Sequence, residues 1–176
     1  AENWTLTVAT ASSDAETLAT LERLVDEKKA DGFILPRAYR DDARVSYLRD
    51  AGVPFVLYGR TRDSRSCAWF DILGETAMLG AVKRLYELGH RRIGYIGGHD
   101  VFNDSHLREE GYRGGVEVCG VAVDEDLLGP VGVTQDEGRA SATTLLELGA
   151  PPTAFLCAVD QAAIGVMRAL GDFDLR

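Results

Sequence analysis

The chain has 176 residues and 19.1 kDa, 45% of them hydrophobic and 27% charged, an ordinary globular composition that excludes collagen-like, disordered and low-complexity classes. Nineteen Lys and Arg against 28 Asp and Glu give a formal charge of −9. The imbalance is 12 basic to 14 acidic over residues 1–89 and 7 to 14 over 90–176, so neither half offers the clustered positive charge that grips a phosphate backbone.

The pattern then alternates short β-type runs with amphipathic helical ones. Trp4–Thr10 reads as an opening strand, and Ser13–Glu16 is an S-x-x-E capping box that starts a helix with an apolar stripe of Leu18, Leu21, Leu24 and Val25. A compact apolar run, Gly32–Leu35, ends at Pro36; a polar loop, Arg37–Asp42, leads into a helix through Val45, Leu48 and Ala51 that Gly52 closes. Val53–Tyr58 is the next strand, Gly59–Ser66 a charged loop and Cys67–Ile72 a fourth strand. A helix over Gly74–Leu88 carries Met78, Ala81, Val82 and Leu85 and stops at Gly89. The rhythm restarts with a strand at Arg92–Ile96, a helix over Asp104–Cys119 and a short strand near Leu127–Val131. A second capping box at Thr134–Glu137 opens another helix, followed by a buried strand at Pro152–Val159 and a helix at Gln161–Leu170. Strands alternating with helices imply parallel βαβ units: an α/β fold of two Rossmann-like subdomains, 1–89 and 90–176, meeting near Gly89–His90.

No run of about 18 apolar residues exists to span a membrane. Cys67, Cys119 and Cys157 stand far apart, which fits a reducing cytoplasm better than a disulfide framework or zinc cluster, and Cys157 reads as a small buried hydrophobe. The opening residues Ala1–Trp4 resemble neither a signal peptide nor a natural start, so the sequence reads as an excerpt of a longer chain.

In doubly wound sheets ligands sit beyond the carboxyl ends of the strands, so the polar residues just after each strand carry the interest. They are Ser12, Ser13, Arg37, Arg40, Arg60, Asp71, the segment His99–Arg108 with Phe102 and Asn103, and Asp160. Ser13 and Asp160 also stand where helix N-caps belong, and His90 where a helix C-cap or an interdomain hydrogen bond does. Two histidines and two aspartates within His99–His106 suggest a metal, but they lack the fixed i,i+4 histidine pair of a helical metal site, and a polar-ligand loop is the simpler reading. The glycines fit no dinucleotide fingerprint, P-loop or G-x-S-x-G elbow, and no catalytic constellation or cofactor emerges.

Four ordered segments resemble the LacI/GalR family of bacterial transcriptional regulators. They are Asp31–Leu35 with Val53–Val56, then Leu85–Ile96 (the L-x-x-x-G-H-x-x-I pattern), Arg108–Arg113 (R-x-x-G-[FY]) and Pro152–Gly165 (P-T-A, apolar run, D-x-x-A-x-G). The resemblance implies an effector-binding core, incomplete at both ends, that closes over a small molecule, usually a sugar or nucleobase. Arg108 would be the ligand-clamping arginine and Asp160 the aspartate of the helix after the P-T-A strand. Trp69, Phe70 and Phe102 are candidate plates for a sugar's C–H face, with Asp71, Asn103 and Arg37 as further contacts. Two positions depart from the family: Leu73–Gly74 replaces Asp-Asn, and Val159 replaces Asn. The resemblance further implies a homodimeric cytoplasmic repressor, not an enzyme, that reaches operator DNA through a domain outside this sequence. A periplasmic sugar-binding protein of the same fold is the alternative.

Overall fold

The computed structural model describes residues 5–63, 65 and 67–175, which form two compact units, one up to Phe70 and one from Asp71 onward. In the first unit, α1 (Asp14–Asp26), β1 (Phe33–Pro36), α2 (Ala43–Asp50), β2 (Phe55–Tyr58) and β3 (Ala68–Phe70) follow in order, and the strands form a parallel sheet β1-β2-β3. Trp4 lies outside the described residues, and residues 5–10 form no strand: Leu6 and Val8 are 80% and 77% exposed. High β-propensity there meets no neighbouring strand and no apolar face to bury, and propensity alone does not make a ladder.

Ser13 caps α1 by accepting from the Glu16 N–H at 3.2 Å, but the Glu16 carboxylate reaches Ser12 instead of closing the reciprocal box. Leu21 is buried and Leu18, Leu24 and Val25 half-buried, as the stripe requires. Asp42 caps α2 from a buried position, accepting from the N–H groups of Arg44 and Tyr39 while its two oxygens take a fork from Arg44 at 2.9 and 2.7 Å. The period-2 alternation gives the sheet two unlike faces. Leu35 and Leu57 are buried with Leu21, Val45 and Leu48. On the opposite face Ile34, Tyr58 and Phe70 are 66%, 45% and 68% exposed, the last two rings stacked 6.0 Å apart.

The second unit comprises α3 (Gly74–Glu87), β4 (Ile93–Ile96), α4 (Asn103–Val118), β5 (Leu128–Gly129), α5 (Gln135–Leu146), β6 (Ala154–Cys157) and α6 (Asp160–Asp172). Its parallel sheet has the order β5-β4-β6. All four residues of β4 are buried, as a central strand covered on both faces demands. Ile93 and Tyr95 pack with Val82, Tyr112 and Val116 of α3 and α4, while Ile96 packs with α5 and α6. The helix pairs approach so closely that a Cβ at Gly111 would strike the Glu75 backbone, and one at Gly165 the carbonyl oxygen of Gln135.

The division between units falls at Phe70–Asp71, ahead of the expected Gly89–His90, because α3 packs along α4 and shares its core. Gly89 instead ends α3 in a Schellman turn: at φ +96 it donates to the Tyr86 carbonyl, and the His90 N–H donates to that of Leu85. The His90 ring contacts Thr153 Oγ1 at 3.0 Å, a bond within the second unit and not between domains. The α5 capping box forms in full, with Thr134 and Glu137 reciprocating. Asp160 is the first residue of α6, whose N-cap is Val159, so its carboxylate meets the positive end of the helix without capping it.

Burial disfavours ionisation of four groups in this unit: the Cys157 thiol is pushed up to about 11, the Tyr112 phenol to about 12, and the Tyr95 and Tyr86 phenols also upward. Their ordinary values are 9.0 for Cys and 10.0 for Tyr, so above pH 9 the unfolded chain loses protons that the folded chain keeps. Stability with respect to these groups is expected to stay level below pH 9 and to fall as the pH climbs toward about 12. Urea melts across that range test this; Cys157→Val is expected to flatten the first part of the fall.

Candidate functional site

The carboxyl edge of the second sheet is shaped by glycine. After Ile96 the chain runs through Gly97 and Gly98, where a Cβ on Gly98 would stand 2.5 Å from Ser105 Oγ. The Gly97 carbonyl accepts from the Gly132 N–H at 3.1 Å, and the Ile96 carbonyl from Ala158 at 2.9 Å, so the loops after β4, β5 and β6 are tied together. The amino ends of α4 and α6 therefore stand at one edge, with Asn103 and Ser105 buried in the first turn of α4.

Arg108, one turn into α4, donates to Asp104 Oδ2 at 2.7 Å, and both side chains are partly shielded, 22% and 32% exposed. Its stem lies over Gly74: a Cβ there would be 3.0 Å from Arg108 Cγ. At the departure Leu73–Gly74, a side chain on residue 74 would press on the arginine's stem, which would have to shift by a few tenths of an ångström. Two buried polar atoms of this region have no hydrogen-bond partner: Asp104 Oδ1 and the hydroxyl of Tyr95. Tyr95 is 2% exposed, stacks on Tyr112 at 4.9 Å, and lies within the field of Glu109, Arg108 and Asp104. A buried polar atom left unpaired costs about 1–3 kcal/mol, so such atoms concentrate where a ligand or water completes them.

Of the residues singled out from the sequence, Asp71, Phe102, Asn103, Arg108 and Asp160 belong to the second unit. Asp71 leads into α3 and accepts from the Ile72 N–H at 2.8 Å, Phe102 is the half-buried N-cap residue of α4, and Asp160 is exposed at the head of α6. Arg37 and Trp69 belong to the first unit. Arg37 follows β1 with φ +53, and its carbonyl accepts from Arg44 at 2.7 Å; Trp69, 40% exposed on β3, carries the Arg60 guanidinium 5.3 Å above its ring. Asp104 lay within the singled-out segment His99–Arg108 without a role of its own, and Tyr95 was not among the candidates. The i,i+4 spacing of Asp104 and Arg108 was a usable signal for the first, whereas nothing in an apolar strand marks a tyrosine whose hydroxyl stays unpaired. Among the described residues no group of three or more His, Cys, Asp or Glu is placed to hold a metal ion, and no helix is long and apolar enough to cross a membrane.

In open parallel α/β sheets ligands sit beyond the carboxyl ends of the strands, where this unit gathers the Arg108–Asp104 pair and the two unpaired polar atoms. The chain belongs to the periplasmic binding protein-like domain family, whose model matches residues 82–176. It is 38% identical over 145 residues to the HTH-type transcriptional repressor CytR of Escherichia coli K12, covering 82% of this chain and 42% of that protein. It is 30% identical over 148 residues to the HTH-type transcriptional regulator RafR of Escherichia coli, covering 84% and 44%. Among solved structures it resembles a LacI-family regulatory protein from Chloroflexus aggregans, with a TM-score of 0.85, 30% identity, and coverage of 93% of this chain and 59% of that one. A complex of the regulator CelR with cellobiose gives the same TM-score of 0.85 and 30% identity, covering 93% and 50%. The chain thus spans less than half the length of these curated relatives.

Proposed function

We propose that the chain is the effector-sensing core of a LacI-type transcriptional regulator, a repressor whose effector is a sugar bound at the carboxyl edge of the second sheet. The observation that carries this reading is the Arg108–Asp104 pair beside the two unpaired atoms, Asp104 Oδ1 and the Tyr95 hydroxyl. A polyhydroxyl ligand suits this set, because each of its hydroxyls both donates and accepts: it gives to the free carboxylate oxygen and receives from the guanidinium fork. Asp160, Asn103 and Asp71 are the further polar contacts proposed, with Phe102 beside them in the same unit. The likeness to a cellobiose-bound regulator supports the sugar, and the regulators among the relatives support this role over a transport receptor or an enzyme.

A net charge of −9 leaves operator DNA to a module outside these residues. Effector binding would act by population shift, favouring one conformation of a cytoplasmic homodimer that DNA-binding heads read. A thermal-shift screen of mono- and disaccharides, cellobiose included, tests the ligand class. A saturable rise in melting temperature with one sugar is expected; no response to any sugar, with a rise from nucleosides or amino acids instead, would overturn it.

A further inference from the structure

The amino-terminal end of the second sheet, opposite the Arg108 edge, holds a cavity of about 320 Å³. Val116 and Leu127 belong to its apolar lining; Tyr86, Arg91, Arg92 and Asp124 supply its polar groups. Each polar group has a defined state. The Arg92 guanidinium donates from Nε to the Ala150 carbonyl at 2.9 Å and from Nη1 to Asp124 Oδ2 at 2.8 Å, leaving Nη2 unused. Arg91 donates only from Nη1, to the carbonyls of Tyr86 and His90, both at 2.9 Å, and its guanidinium lies 4.8 Å above the Tyr86 ring. Both oxygens of the Asp124 carboxylate are engaged: one takes Arg92, and the other takes the Asp126 N–H at 3.1 Å. The Tyr86 hydroxyl is buried with no partner, and burial holds it in the protonated, donating form.

The charged and unpaired side chains around the cavity are therefore weighted toward donors: two guanidinium groups and the Tyr86 phenol, against one carboxylate already paired with Arg92. We infer that this cavity is a second ligand site, distinct from the sugar edge, that takes a small organic acid: an apolar body against Val116 and Leu127, and a carboxylate held by Arg91, Arg92 and the Tyr86 hydroxyl. Its size suits such a ligand, since small-molecule pockets begin at about 300 Å³. The charge balance selects an anion over a neutral amide, because a neutral ligand would leave two cations to compensate one carboxylate.

The test is a titration of the ¹⁵N-labelled chain with sodium benzoate at constant ionic strength, followed by amide shifts, with benzamide as the neutral isostere. Saturable benzoate shifts at the amides of residues 91–93 and 121–124 are expected, with benzamide at least about tenfold weaker. Tyr86→Phe, which keeps the ring and its packing, should weaken benzoate about threefold, and Arg91→Ala about tenfold. No saturation by about 20 mM, equal binding of benzamide, or unchanged affinity in Tyr86→Phe would each overturn the site. A sugar response without a benzoate response would leave the edge site standing and remove this one.

Discussion

Arg108→Ala is expected to weaken the binding of the sugar effector by about 100-fold, the loss of two charge-assisted hydrogen bonds. The same change should move the melting temperature of the free protein little. The Arg108–Asp104 pair joins residues one turn apart on a single helix, with 22% and 32% of the side chains exposed, and such pairs contribute well under about 1 kcal/mol to folding. Arg108→Lys should fall between, since lysine keeps the charge but not the planar fork. Asp160→Ala should weaken binding less, because that carboxylate is solvated at the head of α6. Calorimetry with the sugar found by the thermal screen decides it: unchanged affinity in both Arg108→Ala and Asp160→Ala would sink the assignment.

Gly165→Ala should destabilise the second unit by about 2–3 kcal/mol, although alanine is the better helix former by about 1 kcal/mol. The gain in propensity is outweighed because the new methyl would meet backbone: the carbonyl oxygen of Gln135 and, at 2.6 Å, the nitrogen of Arg139. Neither can swing aside as a side chain would, so α5 and α6 must separate and loosen the cluster of Ala142, Leu145, Ala162 and Val166. Gly80→Ala provides the opposite sign. Gly80 is exposed inside α3 with nothing within 4 Å of its would-be Cβ, and the substitution should stabilise by about 0.5–1 kcal/mol. Chemical denaturation of both variants checks the pair; equal effects would show that helix propensity, not the close approach, governs Gly165.

The elements legible in the sequence were those whose own residues announce them. Ser13 and Thr134 mark two helix starts, Gly52 and Gly89 two helix ends, and the run Ile93–Ile96 a central strand. Where formation depends on a neighbour, the sequence misled. Trp4–Thr10 has a strand's composition, but its described part, residues 5–10, forms no ladder; α3 joins the second unit because Gly111 and Gly115 admit it, a fact of pairing that α3 alone does not carry. The candidate site divides the same way. Arg108 was visible through its motif and its position after a strand, whereas the orphan oxygens of Asp104 and Tyr95 exist only once β4 and α4 are packed.

The bare face of the first sheet bears on how the effector should be sought. With Ile34, Tyr58 and Phe70 turned to water, the folded chain already presents the kind of surface to which environment-sensitive dyes adhere. A dye-based melt would begin bright, and the unfolding step would sit on a high and sloping baseline. Intrinsic fluorescence avoids this, because Trp69 reports directly from beneath the Arg60 guanidinium and is released from it on unfolding.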